Sequence, residues 1–385
     1  MHFKNILLLT LVFILAGCNF GGDGALTLSS VEDQTTNKAT AKTVTLSTTF
    51  GSGPLSYSAI SDDADVVISV SGSTLTLTPS ASWDGSATII AKASFNGVNS
   101  NLQSFTLTVN PLSSFELLDP TFAAGNAFGH NMTVLTNGNI VVASPYDSSG
   151  PGGVNSGAVH LYNPYEQTVI KSFYGDQKDD RLGSSGVTAL GNNNFVIASP
   201  GDNDSVGGKA NAGSVMLVNG ATGLQIGVTL VGDQKDDWLG SSGVTALGNN
   251  HFVIASPFDN VDGIEDAGSV MLVSGATGAL IKTLVGDQED DYLGNNGVTA
   301  LANNNFVVIS SEDQVDSIPG AGSVMLVSGA TGLQIGDNIL QGTTKEDMIF
   351  PRIITTTAPD AFSIGFPYFD KSEQVDSGFA KVFAY

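Results

Sequence analysis

Three stretches gather the side chains most able to do chemistry: Gly175-Asp-Gln-Lys-Asp-Asp-Arg-Leu-Gly183, Gly232-Asp-Gln-Lys-Asp-Asp-Trp-Leu-Gly240 and Gly286-Asp-Gln-Glu-Asp-Asp-Tyr-Leu-Gly294. Each sets two carboxylates at one spacing, Asp176 with Asp180, Asp233 with Asp237 and Asp287 with Asp291. A second acidic loop follows each, carrying Asp202 and Asp204, Asp259 and Asp262, or Asp313 and Asp316. Carboxylates brought together from two loops would offer the oxygen ligands that calcium or another hard cation takes. Asp259-Asn-Val-Asp262-Gly263 is the best single candidate, although it falls short of a complete calcium loop. The same residues also suit turns, where Asp and Asn bond nearby backbone amides and keep the surface soluble. Both readings stay open at the level of sequence.

Catalytic constellations do not stand out. The four histidines, His2, His130, His160 and His251, are scattered, and His251 takes the place of an Asn in a repeated turn. No Ser-His-Asp order, metal-binding His pair or phosphate-cradling glycine loop is visible. The expectation is a protein that is not an enzyme. The one cysteine, Cys18, follows Lys4, an apolar run from Ile6 to Leu15, and Ala16-Gly17. That run of about ten residues is too short to span a bilayer stably, and charged, apolar and small segments in this order read as a secretory signal. Leu15-Ala16-Gly17-Cys18 resembles the lipobox of bacterial lipoproteins. The resemblance implies cleavage before Cys18, acylation of its thiol and amino group, and a lipid bilayer as partner. Asn19 in place of the aspartate that retains such proteins at the inner membrane implies the outer membrane, on either its periplasmic or its cell-surface face.

The elements that must position the acids follow from an internal repeat. Gly129, Gly183, Gly240, Gly294 and Phe350 mark five copies that fill residues 112–385. A typical copy runs through Gly-Val-Thr-Ala-Leu, an Asn-rich turn, Phe-Val-Ile-Ala-Ser-Pro, an acidic loop and Ala-Gly-Ser-Val-Met-Leu-Val. For the second copy this predicts strands over Gly186 to Leu190, Phe195 to Ser199, Gly213 to Val218 and Gln225 to Val231. Four short strands per copy, repeated radially, are the plan of a β-propeller blade. The last copy ends after its third strand, and Phe115 to Leu118 could supply the fourth as a clasp. Phe195, Phe252 and Phe306 are expected in the packing between blades. Upstream, residues 19–24 read as a tether and residues 25–111 as a β-sandwich, with strands at Leu26–Leu28, Thr43–Ser47, Val66–Val70, Ser73–Thr78, Ala87–Ala93 and Phe105–Val109.

The order Gly-Asp-Gln, Leu-Gly or Phe-Gly, Ala-Ser-Pro and Ala-Gly-Ser-Val resembles the FG-GAP repeat of integrin alpha-chain propellers and their bacterial relatives. That resemblance implies a propeller, calcium loops, and adhesion or recognition. The hairpin that often carries calcium in that family holds Gly191-Asn-Asn-Asn194, Gly248-Asn-Asn-His251 and Ala302-Asn-Asn-Asn305 instead, so the family's usual site is expected to be absent. The upstream segment, from Leu75 through Trp83 to Ile89 and closing at Phe105 to Pro111, resembles immunoglobulin-like and cadherin-like modules of bacterial surface proteins.

The organisation expected is all-β. It comprises a signal peptide (1–17), a lipidated tether (18–24), an immunoglobulin-like sandwich (25–111) and a five-bladed FG-GAP-like propeller (112–385). Across the 385 residues, 37 Asp and Glu against 14 Lys and Arg leave a formal charge of −23, which excludes nucleic acid as a natural partner. The hydrophobic content of 41% excludes a disordered acidic chain. In an antiparallel blade, the loops between blades and those between second and third strands emerge on one side, so the acids should crowd a single rim. That rim should attract divalent cations or a basic partner. The function expected is adhesion or recognition of a protein or glycan at the cell envelope. The alternatives are a periplasm-facing scaffold for envelope assembly and a polysaccharide-active enzyme.

Overall fold

The computed structural model describes residues 25–49, 54–80, 83–111, 116–203, 207–337, 340–345, 352–355, 361–366 and 379–384. Among them there is no helix. The chain divides into two compact units, Met1–Ser113 and Ser114–Tyr385.

In the first unit, strands Gln34–Asn37, Gln103–Asn110, Gly85–Phe95 and Leu55–Ser61 lie side by side in that order, with the short Val98–Asn99 folded back on Gly85–Phe95. A second sheet holds Lys42–Thr45, Thr74–Pro79 and Val66–Ser71. Period-two alternation explains how they pack. Ala87, Ile89, Ala91 and Ala93 point one way from the longest strand and meet Leu75, Leu77 and Val66 of the other sheet in a single core. Two strands escape the sequence expectation: Gln34–Asn37 is polar, and Leu55–Ser61 is thinned by serines and carries an exposed Ile60. Conversely, the strand expected at Leu26–Leu28 reduces to one bridge between Leu28 and Thr48, although Leu28 is buried.

The second unit is a series of antiparallel sheets, one per repeat. Repeat 1 contains Asn131–Val134, Ile140–Ser144, Ala158–Asn163 and Thr168–Tyr174. Repeat 2 contains Val187–Ala189, Asn194–Ser199, Ser214–Asn219 and Leu230–Val231. Repeat 3 contains Val244–Ala246, His251–Ser256, Ser269–Ser274 and Leu280–Val285, and repeat 4 Val298–Ala300, Phe306–Ser310, Ser323–Val327 and Leu340–Gln341. Arg352–Thr355, Ala361–Phe366 and Phe379–Ala384 form the three-stranded sheet of repeat 5. The fourth strand of repeat 2 is shorter than expected. Compared with repeat 3, its sequence has one extra residue after the turn glycine, Gly227 adopts φ +69°, and only a bridge at Gln225 precedes Leu230–Val231. As for the expected clasp, Phe115 lies outside the described residues, and Glu116 to Leu118 are not in a strand.

In repeats 1 to 4 the second strand is buried on both faces, which is why it reads as a continuous apolar run rather than an alternating one. In repeat 5, Ala361–Phe366 alternates instead, with Ser363 and Gly365 half-buried between buried Phe362, Ile364 and Phe366. Phe195 and Ile197 pack on Val141, Ala143, Val159 and Leu161 of repeat 1, while Val196 and Ala198 pack on Phe252 and Ile254 of repeat 3. The same relation carries Phe306 against repeat 3 and Phe362 against repeat 4. Polar ties reinforce the stacking. Thr188 Oγ1 donates to Val244 O at 3.1 Å and Thr245 Oγ1 to Val298 O at 3.0 Å, linking the first strands of successive repeats.

Candidate functional site: an edge of repeated carboxylate clusters

The acidic loops are held by a scaffold of main-chain contacts. In each central repeat the leading glycine presses against the preceding sheet: Gly175 N–H donates to Gly157 O at 3.1 Å, and Gly232 and Gly286 bond Gly213 and Gly268 likewise. A Cβ on any of the three would lie 2.1 Å from the carbonyl oxygen of Ser156, Ala212 or Ala267, so no other residue fits. At the far end Gly183 N–H donates to Ser199 Oγ at 3.0 Å, and Gly240 with Ser256 and Gly294 with Ser310 repeat the latch. The serine at the end of the second strand, in Ala-Ser-Pro for repeats 2 and 3 and in Ile-Ser-Ser for repeat 4, therefore ties the loop to that strand of its own repeat.

Between these anchors the last Asp of each loop turns inward and is almost fully buried. Asp180 Oδ2 accepts the Gln177 N–H at 2.6 Å, and its Oδ1 accepts Asn203 N–H and Asn203 Nδ2, both at 3.2 Å. Asp237 accepts from Gln234 and Asn260, and Asp291 from Gln288, Asp287 and Gln314. The Gln of Gly-Asp-Gln completes the tie: Gln177 Nε2 donates to Asn203 O at 2.7 Å and Gln234 Nε2 to Asn260 O at 2.6 Å. The loop between sheets and the loop between second and third strands are thus locked together.

This arrangement gathers Asp176, Asp180 and Asp202; Asp233, Asp237 and Asp259; and Asp287, Asp291 and Asp313 into three triads, each with one carboxylate oxygen per residue within 4.8 Å of the others. The first triad lines a hollow of about 350 Å³ with Met216, and the third lines one of about 380 Å³ with Met325. Burial raises the pKa of Asp180, Asp237 and Asp291 against the lowering effect of their amide donors. It pushes Asp259 and Asp313 up to about 6, opposed by Ser269 and Ser323 and reinforced by the neighbouring acids. Each triad is a half-buried set of oxygen donors whose mutual repulsion a cation would relieve.

Asp262 and Asp316 do not join the triads. Both adopt positive φ, 53° and 51°, in small turns closed by the Val261–Ile264 and Val315–Ile318 bridges. Asp259 is therefore grouped with Asp233 and Asp237 across two loops, not with Asp262 along its own. Cys18 and Asp204 lie outside the described residues. The first Asp of each Asp-Asp pair serves the turn: Asp179 (φ 64°) accepts from Asn155 Nδ2 at 3.0 Å, and Asp236 (φ 64°) from Asn211 Nδ2 at 2.7 Å. Lys178 and Lys235 pair with these outer carboxylates at 3.5 and 2.8 Å, in solvent.

Next to each triad the three loops present different side chains. Arg181, Trp238 and Tyr292 share one position and hold φ of 51°, 48° and 46°, a region that bulky residues seldom occupy. Arg181 lies over the Tyr146 ring at 5.8 Å, Tyr292 packs edge-on against Phe258 with centroids 5.8 Å apart, and Trp238, Phe258 and Asp266 line an open hollow. Tyr292 Oη lies 3.0 Å from Asp290 Oδ1 and 3.2 Å from Asp266 Oδ2, with one proton to donate to either; burial, with these acids, raises its pKa.

Residues 189–241, 246–295 and 300–349 each match a family model described as a repeat of unknown function, DUF5650. The three central copies are thus tandem repeats of that type. No curated protein sequence matches the chain. Among solved structures, one similar chain is from the complex of KlAtg21 with the coiled coil of AgAtg16, at 10% identity over 78% of this chain and 73% of that one, with a TM-score of 0.33. Another is rhamnogalacturonan lyase YesW, at 11% identity over 88% and 65%, with a TM-score of 0.30. Scores this low carry no inference about fold or function.

The Asn-rich turns hold the side of the sheets away from the triads. Asn139 Nδ2 and Asn194 Nδ2 each donate to a glycine carbonyl of the next repeat, Gly220 and Gly275, at 2.7 Å. His251 Nδ1 does the same to Gly329 O at 2.8 Å, so that nitrogen carries the proton. Sequence reading identified these residues as turn formers and missed their role between sheets. A fourth cluster also escaped it. Asp119, Asp147 and His160 converge in repeat 1, although Asp119 lies outside the repeated motif and His160 looked isolated. Its signal was present in the alignment of repeats, where Ala-Val-His160-Leu stands against Ser-Val-Met-Leu.

Proposed function

We propose that this chain is a non-catalytic recognition protein of the cell envelope, anchored through acylated Cys18, whose second unit is a five-bladed FG-GAP-like propeller on an immunoglobulin-like spacer. Face-to-face packing of successive sheets and the Thr188 and Thr245 bonds between first strands support the radial reading. One observation carries the function. Three near-identical loops, locked by the same glycine, serine and glutamine contacts, hold Arg181, Trp238 and Tyr292 at strained positive φ beside carboxylate clusters. A rigid frame with interchangeable side chains on an acidic edge is a recognition surface, suited to a basic protein segment or a glycan whose apolar ring face stacks on aromatic side chains. Calcium in the triads would neutralise that edge and bridge its loops.

The test combines location and contact. Protease shaving of intact cells is expected to degrade the propeller unit, and Trp238→Ala with Tyr292→Ala to lower cell-surface binding about tenfold while thermal stability stays within a few degrees. Complete protection on intact cells, with degradation only after the outer membrane is opened, would replace this reading by a periplasm-facing scaffold.

A further inference from the structure

Repeat 1 departs from the repeats after it at the floor of its acidic cluster. His160 sits opposite Val142, at the register where Met216, Met271 and Met325 sit opposite Ile197, Ile254 and Val308. Met216 and Met325 line the hollows beneath their carboxylates. An imidazole therefore replaces a thioether under the acids.

The histidine is fully buried and only half satisfied. Its Nδ1 lies 2.8 Å from Ser172 Oγ, whereas Nε2 is closed to solvent and has no hydrogen-bond partner. A ring nitrogen of His160 and one carboxylate oxygen each from Asp119 and Asp147 lie within 4.8 Å of one another. Both acids are held from behind. Thr121 Oγ1 is 2.8 Å from Asp119 Oδ1 and 2.6 Å from Asp147 Oδ2, and its single proton can serve only one of them. Asn126 Nδ2 donates to Asp119 Oδ2 at 2.8 Å and reaches Asp147 Oδ2 at 3.2 Å. None of the ion pairs among the described residues reaches either acid.

We propose that Asp119, Asp147 and His160 form a binding site for a divalent transition-metal ion of the zinc class. The donor set decides the class. Calcium takes six to eight oxygens, while one imidazole with two carboxylates suits a smaller, softer ion that bonds nitrogen. The setting agrees: Phe128, Tyr162 and Tyr174 pack around the imidazole at centroid distances of 6.1, 6.3 and 6.1 Å, an aromatic wall on that side of the site. Asp119, the only partly exposed member, opens the way in. Bonds of about 2.0–2.2 Å place tetrahedral donors roughly 3.4 Å apart, so separations within 4.8 Å need shrink by at most roughly 1.4 Å. Ser172 and Thr121 then act as the outer partners that orient ligands.

The experiment uses the full chain, chelator-stripped and titrated with zinc in the presence of excess calcium, which occupies any oxygen-only site. One equivalent is expected to bind in the micromolar range or tighter, with one imidazole in the zinc X-ray absorption spectrum. His160→Met, which installs the residue that repeats 2 to 4 carry there, is expected to weaken this binding at least 100-fold. His251→Asn is expected to leave it unchanged. An oxygen-only zinc shell, no zinc binding, or undiminished binding by His160→Met would each overturn the assignment. If His160→Met fails to fold, the absorption spectrum of the wild-type protein decides by itself. None of these readouts depends on cell-surface recognition.

Discussion

At the scale of single residues, the acidic edge is a compromise between backbone demand and charge. Asp180, Asp237 and Asp291 answer amide donors that would otherwise be stranded where two loops meet, and Asp259 is then buried and Asp313 half-buried beside them at some cost. The folded pKa of about 6 for Asp259, against 3.8 for a free carboxyl, means that the fold prefers the protonated form. Its favourable share of stability is present below about pH 4 and disappears as pH rises towards 6, at up to about 1.4 kcal/mol per pH unit. In chelator, the melting temperature of the wild type should therefore fall relative to that of Asp259→Asn across this window. Parallel curves would show that Asp259 is not strained by burial. A steric counterpart sits at Gly232, whose Cβ would meet Ala212 O at 2.1 Å. Gly232→Ala should cost about 3 kcal/mol, read as a fall in denaturation midpoint, because a backbone carbonyl cannot step aside as a flexible side chain can.

At the scale of elements, neighbouring sheets are joined by apolar faces and by amide clamps. Phe195 is completely buried between two sheets, and Phe195→Ala should remove about 3–5 kcal/mol of stability. The clamp is tested more selectively at Asn194, whose Nδ2 bonds Gly275 O. Asn194→Ala should cost about 1–2 kcal/mol, whereas His251→Asn should be nearly neutral because Asn fills the same role in repeats 1 and 2. A large loss in the second variant would mean that the imidazole does more than donate one bond. These elements also mark what the sequence could disclose. The second strands of repeats 1 to 4 were legible because burial on both faces writes an unbroken apolar run. Gln34–Asn37 and Leu55–Ser61 were not, since polar or small side chains half-buried at a sheet edge leave no such trace. The triads were partly legible. Repetition pointed to the right loops, but Asp259 and Asp262 are close only along the chain, and local turn geometry sent them apart. His160 was lost because its partners lie 13 and 41 residues away in sequence, at Asp147 and Asp119.

At the scale of the whole molecule, a formal charge of −23 makes cations the natural counterpart, and the question is whether they bind at sites or only screen. Screening acts over about 8 Å at physiological ionic strength and is indifferent to which cation supplies it. Site binding depends on the ion's identity. A site that exists only in the folded chain adds about 2.7 kcal/mol when calcium stands a hundredfold above its dissociation constant. Three equivalent triads would together produce a shift far larger than relief of repulsion alone. Melting curves with calcium chloride and with sodium chloride at equal ionic strength separate the two cases. Calcium should raise the melting temperature well beyond the sodium control, and the excess should shrink stepwise in variants carrying Asp176→Asn, Asp233→Asn and Asp287→Asn, whose side chains are the exposed members of their triads and the least involved in folding. Equal shifts with the two salts would mean that the edge is a diffuse negative field, with its carboxylates serving the turns and no ion held in place.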